Sequence, residues 1–352
     1  MSSIHELTPF VREISIYYTQ KVNIICILSE LYLNFQHNLT YCVILFINIS
    51  DGVEFVKSTT RMIRLGRIAL FAAAFLWGLS FVIMKNILTN VPTLYILAFR
   101  FCGAAIILLP ACIHKLKKLD RAYLLSGILM GAAILLGYIF QTYGLQLTTP
   151  GKNAFLTSAY CVIVPFLYWV FIRKKPDKYN VAAAAICIVG IGFISLDGSF
   201  NIGAGDVLTI ICGFFYAFHI LVTAKAVADR DPVALAMLQF FTAGVIALIC
   251  ALIFESPPSG AGAADILGLV FLTVVSTAGC LLMQVFGQKY TPPSQASVIM
   301  TLEAVFGVLS SVILFDEILT FRLITGFALT FAAVIISETK LSFLRNKKNN
   351  EL

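Results

Sequence analysis

The stretch Gln141-Thr142-Tyr143-Gly144-Leu145-Gln146-Leu147-Thr148-Thr149-Pro150 returns 143 residues later as Gln284-Val285-Phe286-Gly287-Gln288-Lys289-Tyr290-Thr291-Pro292-Pro293. Gln141 meets Gln284, Gly144 meets Gly287, Thr148 meets Thr291 and Pro150 meets Pro293. Extending the overlay to Ile172 and Phe315 adds Val162 with Val305, making five identities in 32 positions. Apolar segments resemble one another by composition, so the order of the matches counts for more than their number. The same Gln, Gly, Thr and Pro punctuation, set between two apolar segments, marks an internal duplication.

The chain has 352 residues, of which 59% are hydrophobic and only 12% charged, with a mean hydropathy of +0.92. A soluble domain carries about 25% charged residues to cover its surface. This chain cannot cover one. Several apolar runs approach the ~20 residues that span a bilayer core of ~30 Å, and they do not alternate as barrel strands do. The class is therefore an all-α polytopic membrane protein. Six of the nine cysteines (Cys102, Cys161, Cys187, Cys212, Cys250 and Cys280) lie inside apolar runs, Cys112 ends another, and no CxxC occurs. They read as small hydrophobes rather than as metal or redox groups.

Residues 1–61 contain no Ala and a single Gly, whereas both abound from Met62 onward. Arg61, Arg64 and Arg67 ahead of a clean apolar run read as the cytoplasmic start of a first span. We expect Met62 to be the natural start and 1–61 to be an atypical extension read from upstream. Ten spans then follow, near 68–84, 93–112, 122–145, 152–172, 179–196, 206–224, 233–254, 265–288, 293–315 and 321–338. Short links make neighbours antiparallel. With the first helix starting in the cytoplasm, eighteen Lys and Arg fall on that side, and only Lys85, Lys152 and Arg322 fall on the other. This is a decisive positive-inside asymmetry. It places both termini, including the basic tail 341–352, in the cytoplasm. Five spans per half, 62–197 and 203–340, make the halves inverted repeats, the plan of an alternating-access carrier.

Phe75-Leu76-Trp77-Gly78-Leu79-Ser80-Phe81 with Lys85 and Arg100 resembles the opening of drug/metabolite transporters of the EamA type. So does Thr149-Pro150-Gly151-Lys152-Asn153-Ala154-Phe155-Leu156 with Pro165. Leu302-Glu303-Ala304-Val305-Phe306 leading to Phe315-Asp316-Glu317 is similar to the family's Glu-Pro and Gly-Glu pattern, with Ala304 in place of the usual Pro and Asp316 in place of the usual Gly. The resemblance covers about 62–340. It implies a ten-helix exporter of metabolites, with helices 1–4 and 6–9 around a central cavity and helices 5 and 10 outside.

Arg100 and Glu303 are the charges nearest the middle of spans. An unpaired charge there costs roughly 2.5–3.5 kcal/mol on insertion scales, so each must face water, the bundle interior or a partner. Glu303 reads as a proton carrier or a ligand for a substrate amine, or else as half of a structural pair with Arg100; Arg100 itself is structural or binds a substrate carboxylate. Ala296, Ile299, Glu303, Gly307 and Ser310 recur at intervals of three and four, which puts them on one helical face. Trp77 and Tyr216 hold roughly corresponding places in the halves and read as cavity lining or as core. His219, on the face of Tyr216, could titrate near neutrality. Tyr138, Gln141, Gln239 and Gln284 need polar partners within the bundle, and Tyr160 is the repeat equivalent of Glu303. Pro165 removes a backbone hydrogen bond and reads as a hinge or a static bend. Gly127 and Gly131 form a close-packing face, and Asp206 reads as a helix cap.

There is no HExxH, GxSxG or Walker loop, and the four histidines are scattered, so an enzyme or an ATP-driven pump is not expected. No cofactor and no metal ion are expected. The partners expected are a small-molecule substrate and the lipid bilayer, without nucleic acid; a homodimer is compatible with this plan. The function expected is secondary export of small metabolites (amino acids, nucleobases or related amphipathic compounds), driven by a proton or solute gradient, in a bacterial inner membrane. A solute channel and a non-transporting membrane protein are the alternatives.

Overall fold

The structure, a computed structural model, describes residues 59–340 apart from 115–119, 174, 196–201, 229, 292–295 and 297–298. The extension through residue 58, Pro293 of the duplicated loop and the basic tail from 341 lie outside the described residues.

In chain order the helices are α1 (Thr59–Ile87), α2 (Thr93–Cys112), α3 (Arg121–Leu147), α4 (Pro150–Ser158), α5 (Tyr160–Ile172), α6 (Lys178–Ser195), α7 (Ala204–Ala226) and α8 (Pro232–Phe254). They are followed by α9 (Ala263–Phe271), a π-helical segment (Leu272–Gly279), α10 (Cys280–Tyr290), α11 (Leu302–Leu314) and α12 (Phe321–Thr339). The starts follow local chemistry. Asp120, Thr149, Asp231 and Thr320 each accept a hydrogen bond from an amide of the first turn, and Pro150 and Pro232 occupy first-turn positions where their missing N–H costs nothing.

Among the described residues, eight segments are long and apolar enough to cross a membrane: α1, α2, α3, α4 with α5, α6, α7, α8, and α9 through α10. The ninth and tenth expected spans are shorter helices. Of the ninth expected span, 293–315, residues 299–300 are helical and α11 has 13 residues, about 20 Å at 1.5 Å per residue. It starts after a turn at Thr301. The fourth span is also divided, at Ala159, and Ser158 and Thr301 are equivalent under the 143-residue shift. Ser158 Oγ donates to the Phe155 carbonyl at 2.8 Å, a back-bond that competes with the helical ladder. Pro165 lies inside α5, which runs on through it, so the discontinuity is at Ala159 and not at the proline.

The packing follows the duplication. α1 lies on α10, and α3 lies on α7; α1 also touches α11, as α7 touches α4 and α5; α2 meets the π segment, as α8 meets α3. The remaining large contacts join α2 with α8, α4 with α11 and α6 with α12. Every pair maps onto another, or onto itself, when each helix is exchanged for its counterpart in the other half. The duplicated glycines sit at two of these crossings. A Cβ on Gly144 would lie 2.8 Å from the Gly205 carbonyl oxygen, and one on Gly287 would lie 2.9 Å from that of Gly66. Only a residue without a side chain admits such backbone approach. Gly127 and Gly131 face Leu238 and Thr242 of α8.

The core between helices is buried and apolar, while many large apolar residues, such as Ile106, Ile188, Leu252 and Phe254, are exposed on the outside. In water such a surface would drive aggregation; around a membrane bundle it meets lipid.

Candidate functional site

A central cavity opens among α1, α2, α3, α5, α7, α10 and α11. The space is about 630 Å³, part of it open to solvent. All eight residues singled out from the sequence as substrate or coupling candidates meet on its wall: Trp77, Arg100, Gln141, Tyr160, Tyr216, His219, Gln284 and Glu303.

The two helix breaks position its centre. Tyr160 opens α5 just after the break in the first half. Glu303 lies in the first turn of α11 just after the break in the second. Glu303 thus stands near the N-terminal, positive end of α11. Glu303 is 6% exposed, and among the described residues it forms no hydrogen bond or ion pair. The turn at Thr301 also overturns the single face expected across Ala296, Ile299 and Glu303. Ile299 instead lines a lipid-side groove with Leu302, while Met300 and Glu303 face the cavity.

Arg100, 2% exposed, is held without a counter-charge among the described residues. Its Nε donates to Thr277 Oγ1 at 2.8 Å and its Nη2 to Ser276 Oγ at 3.3 Å. Its guanidinium lies 4.6 Å from the centre of the Tyr138 ring, a cation–π contact strengthened by burial. Thr277 and Ser276 belong to the π segment, where Thr277 Oγ1 donates back to Leu272 O five residues earlier. The Ser276 carbonyl accepts from Trp77 Nε1 at 2.9 Å. A π insertion rotates successive side chains out of α register, and here it aims a hydroxyl pair at Arg100 and a carbonyl at Trp77. Sequence reasoning missed both hydroxyl residues; Leu272 to Gly279 carries no pattern that separates π from α.

The opposite wall is a chain of neutral polar groups. Tyr216 Oη donates to Gln141 Oε1 at 2.8 Å, and Gln141 Nε2 donates to Thr157 Oγ1 at 3.2 Å. The Tyr216 ring meets Tyr138 and Tyr160 edge-on, at 5.6 and 6.5 Å between centroids. His219 Nε2 is 2.9 Å from Gln239 Oε1 and 3.3 Å from Thr223 Oγ1, and its side chain is buried. Gln284 makes no hydrogen bond among the described residues and is the amide left facing the cavity.

At the end of the bundle that carries the three exceptional cations, each has an assigned task. Lys85 Nζ donates to the carbonyls of Leu145, Gln146 and Thr148 at 2.7, 2.9 and 2.9 Å, closing the C-terminus of α3. Arg322 Nε donates to Phe193 O at 2.8 Å near the end of α6. Lys152 pairs with Asp206 at 2.8 Å. Asp206 does not cap α7 as expected: Gly203 holds the N-cap position, and the Asp206 carboxylate accepts from Thr148 Oγ1 at 2.8 Å instead. A group of three or more His, Cys, Asp or Glu side chains suited to a metal ion does not occur among the described residues.

The model of the EamA-like transporter family matches the chain twice, over residues 64–196 and 203–339. An uncharacterized transporter of Archaeoglobus fulgidus is 31% identical over 303 residues, covering 86% of this chain and 94% of that protein. The uncharacterized transporter YoaV of Bacillus subtilis is 22% identical over 288 residues, covering 80% and 98%. A crystal structure of a protein 14% identical in sequence superposes with a TM-score of 0.61 over 79% of this chain and 98% of its own, a likeness of fold.

Proposed function

The chain belongs to the EamA-like transporter family, and from that premise we propose that it is a secondary carrier that moves small amphipathic metabolites by alternating access. One observation carries the proposal: a buried carboxylate without a partner among the described residues, Glu303, faces a cavity that a second buried charge, Arg100, also lines. Leaving a charge unpaired inside a bundle is costly, and a transported cation or proton supplies the missing partner transiently. Amino acids suit such a wall, with an amine end at Glu303, a carboxylate end toward Arg100 and an apolar body among Trp77, Tyr138, Tyr160 and Tyr216. Nucleobases suit the aromatic walls and the Gln141 and Gln284 amides.

The exchange symmetry of the helix contacts and the equivalent breaks at Ala159 and Thr301 support reading the halves as inverted repeats of five spans, with α11 and α12 as the short ninth and tenth. The Lys and Arg asymmetry supports cytoplasmic termini in an inner membrane. Coupling would run through Glu303, which exchanges a proton for substrate as the cavity turns from one side to the other.

The test is flux of amino acids, nucleobases and organic cations in proteoliposomes under an imposed pH gradient, comparing wild type with Glu303→Gln. Saturable, gradient-driven flux that loses its response to pH in the variant supports a proton-coupled carrier. Gradient-driven flux untouched by the substitution would return Glu303 to a structural role, and non-saturable flux would make the protein a channel.

A further inference from the structure

Glu317 lies beyond the cavity, in the link between α11 and α12, and it bridges the two halves of the chain. Its Oε1 accepts a hydrogen bond from Thr149 Oγ1. Its Oε2 accepts from the Gly151 amide at 2.9 Å and from Ser311 Oγ. Thr149 is the N-cap of α4 and Gly151 lies in its first turn, so the carboxylate sits on the positive end of that helix. Asp316, immediately before it, has φ 55°, a left-handed conformation rare for a residue with a side chain. That turn folds Glu317 back over α11, where its own amide donates to Ser311 O at 3.2 Å. A Cβ on Gly151 would stand 2.5 Å from Glu317 Oε2, so the bare glycine is what admits the carboxylate.

The bridge is one link of a belt. Lys85 ties α1 to the end of α3, Thr148 ties that end to Asp206 of α7, Lys152 ties α4 to the same Asp206, and Glu317 ties α4 to α11. Five helices are so joined, and four of them, α1, α3, α7 and α11, enclose the cavity. At the opposite end the contacts are of another kind: Tyr123 Oη of α3 accepts from the Asp231 amide at 2.9 Å, and Lys289 Nζ of α10 donates to Arg230 O at 3.4 Å.

We propose that Glu317 is the latch of a gate at the Lys85 and Lys152 end of the bundle. Opening the cavity there separates α4 from the end of α11 and so breaks the bonds from Thr149 and Gly151. The repeat-equivalent position is Lys174, a cation where the other half has a carboxylate, so the duplication does not repeat this carboxylate. This inference rests on the carrier reading but concerns access rather than flux.

The test places a cysteine at Ser80, on the cavity wall, in the full chain with its native cysteines replaced. Its reaction with a membrane-impermeant thiol reagent is timed from each side of the bilayer separately. With Glu317 intact, labelling from the Lys85 side should be slow. Glu317→Ala should speed it at least tenfold, with no matching rise from the other side. Thr149→Val and Ser311→Ala, each removing one donor, should give smaller increases in the same direction and cover the case in which Glu317→Ala fails to fold. An unchanged rate in folded variants overturns the latch and leaves the carrier reading standing. An equal rise from both sides also overturns it, since general loosening would produce that. Absent saturable flux in wild type, by contrast, bears on the carrier reading alone.

Discussion

Arg100 and Glu303 line the same cavity and do not pair: the guanidinium is held by Thr277, Ser276 and the Tyr138 ring, and the carboxylate by nothing among the described residues. The two charges should therefore answer differently to substitution. Removing the Glu303 charge relieves an uncompensated burial, so Glu303→Gln should leave the melting temperature in detergent unchanged or raise it. Arg100→Gln leaves two hydroxyls and a ring without their donor. Hydrogen bonds to a charged group contribute about 1.5–3 kcal/mol each, so melting should fall by several degrees. A drop of equal size in both variants would mean that the two residues form a pair after all.

The hydroxyls of the π segment give a second reading of the same site. Thr277→Val keeps the shape and removes the Nε acceptor. Combined with Arg100→Gln in a double-mutant cycle, it should show a coupling of about 1–2 kcal/mol in unfolding free energy. Additive effects would mean that the bond contributes nothing. Arg100→Lys should not rescue, because an ammonium cannot reach both hydroxyls and lie flat on Tyr138.

Lys85 tests whether the cations on the sparse side are structural. It donates to three carbonyls at the end of α3, a favourable place for a positive charge. Lys85→Met keeps the apolar stem and removes the donors, and should cost about 1–3 kcal/mol of stability. Arg64, which is exposed, serves as the control: Arg64→Gln should change unfolding by less than about 0.5 kcal/mol. Equal effects would identify Lys85 as no more than a topology signal.

Much of this arrangement was legible in the sequence because membranes impose simple rules. Length and apolarity marked the spans, and the rarity of charge inside them marked Arg100 and Glu303. The repeat shift paired Gly144 with Gly287 and Tyr160 with Glu303 before any contact was known. Three features were not legible. The π segment differs from an α-helix by one residue of hydrogen-bond register, which composition does not encode. The breaks at Ala159 and Thr301 contain neither proline nor glycine, whereas Pro165, the obvious breaker, lies within a continuing helix. Asp206 follows a glycine-rich turn and looks like a cap, but its partners Thr148 and Lys152 come from the junction of α3 and α4. Sequence spacing reports neighbours along a helix and is silent about neighbours across one.

The paired glycine crossings carry their own test. At Gly144 and Gly287 a methyl group would push against backbone carbonyl oxygens, which cannot swing aside. Alanine at either site should cost about 1–3 kcal/mol, as overpacking does, and the two variants should lose similar amounts because the crossings are equivalent. Gly260 has open space around it, so Gly260→Ala should be neutral within about 0.5 kcal/mol. Melting curves of the three variants decide the matter. A neutral Gly144→Ala would show that the α3–α7 crossing can spread at no cost.

The last expectation concerns pH at the other end of the bundle, where Asp177 ahead of α6 meets Lys340 at the end of α12. Partial burial pushes the Asp177 carboxyl up, but the Lys340 ammonium and the amides of Asn180 and Tyr179 outweigh it, leaving it below the ordinary 3.8. A carboxyl depressed in the folded state adds stability above its unfolded value and loses it as pH falls through the folded one. Asp177→Asn should therefore be slightly less stable than wild type from neutrality down to about pH 4, with the difference closing below that. Both side chains are solvent-accessible, 35% for Asp177 and 55% for Lys340, so the gap should stay under about 1 kcal/mol and shrink in high salt. A larger gap, or one that persists unchanged at pH 3, would mean that Asp177 acts through its bonds to the start of α6 rather than through the ion pair.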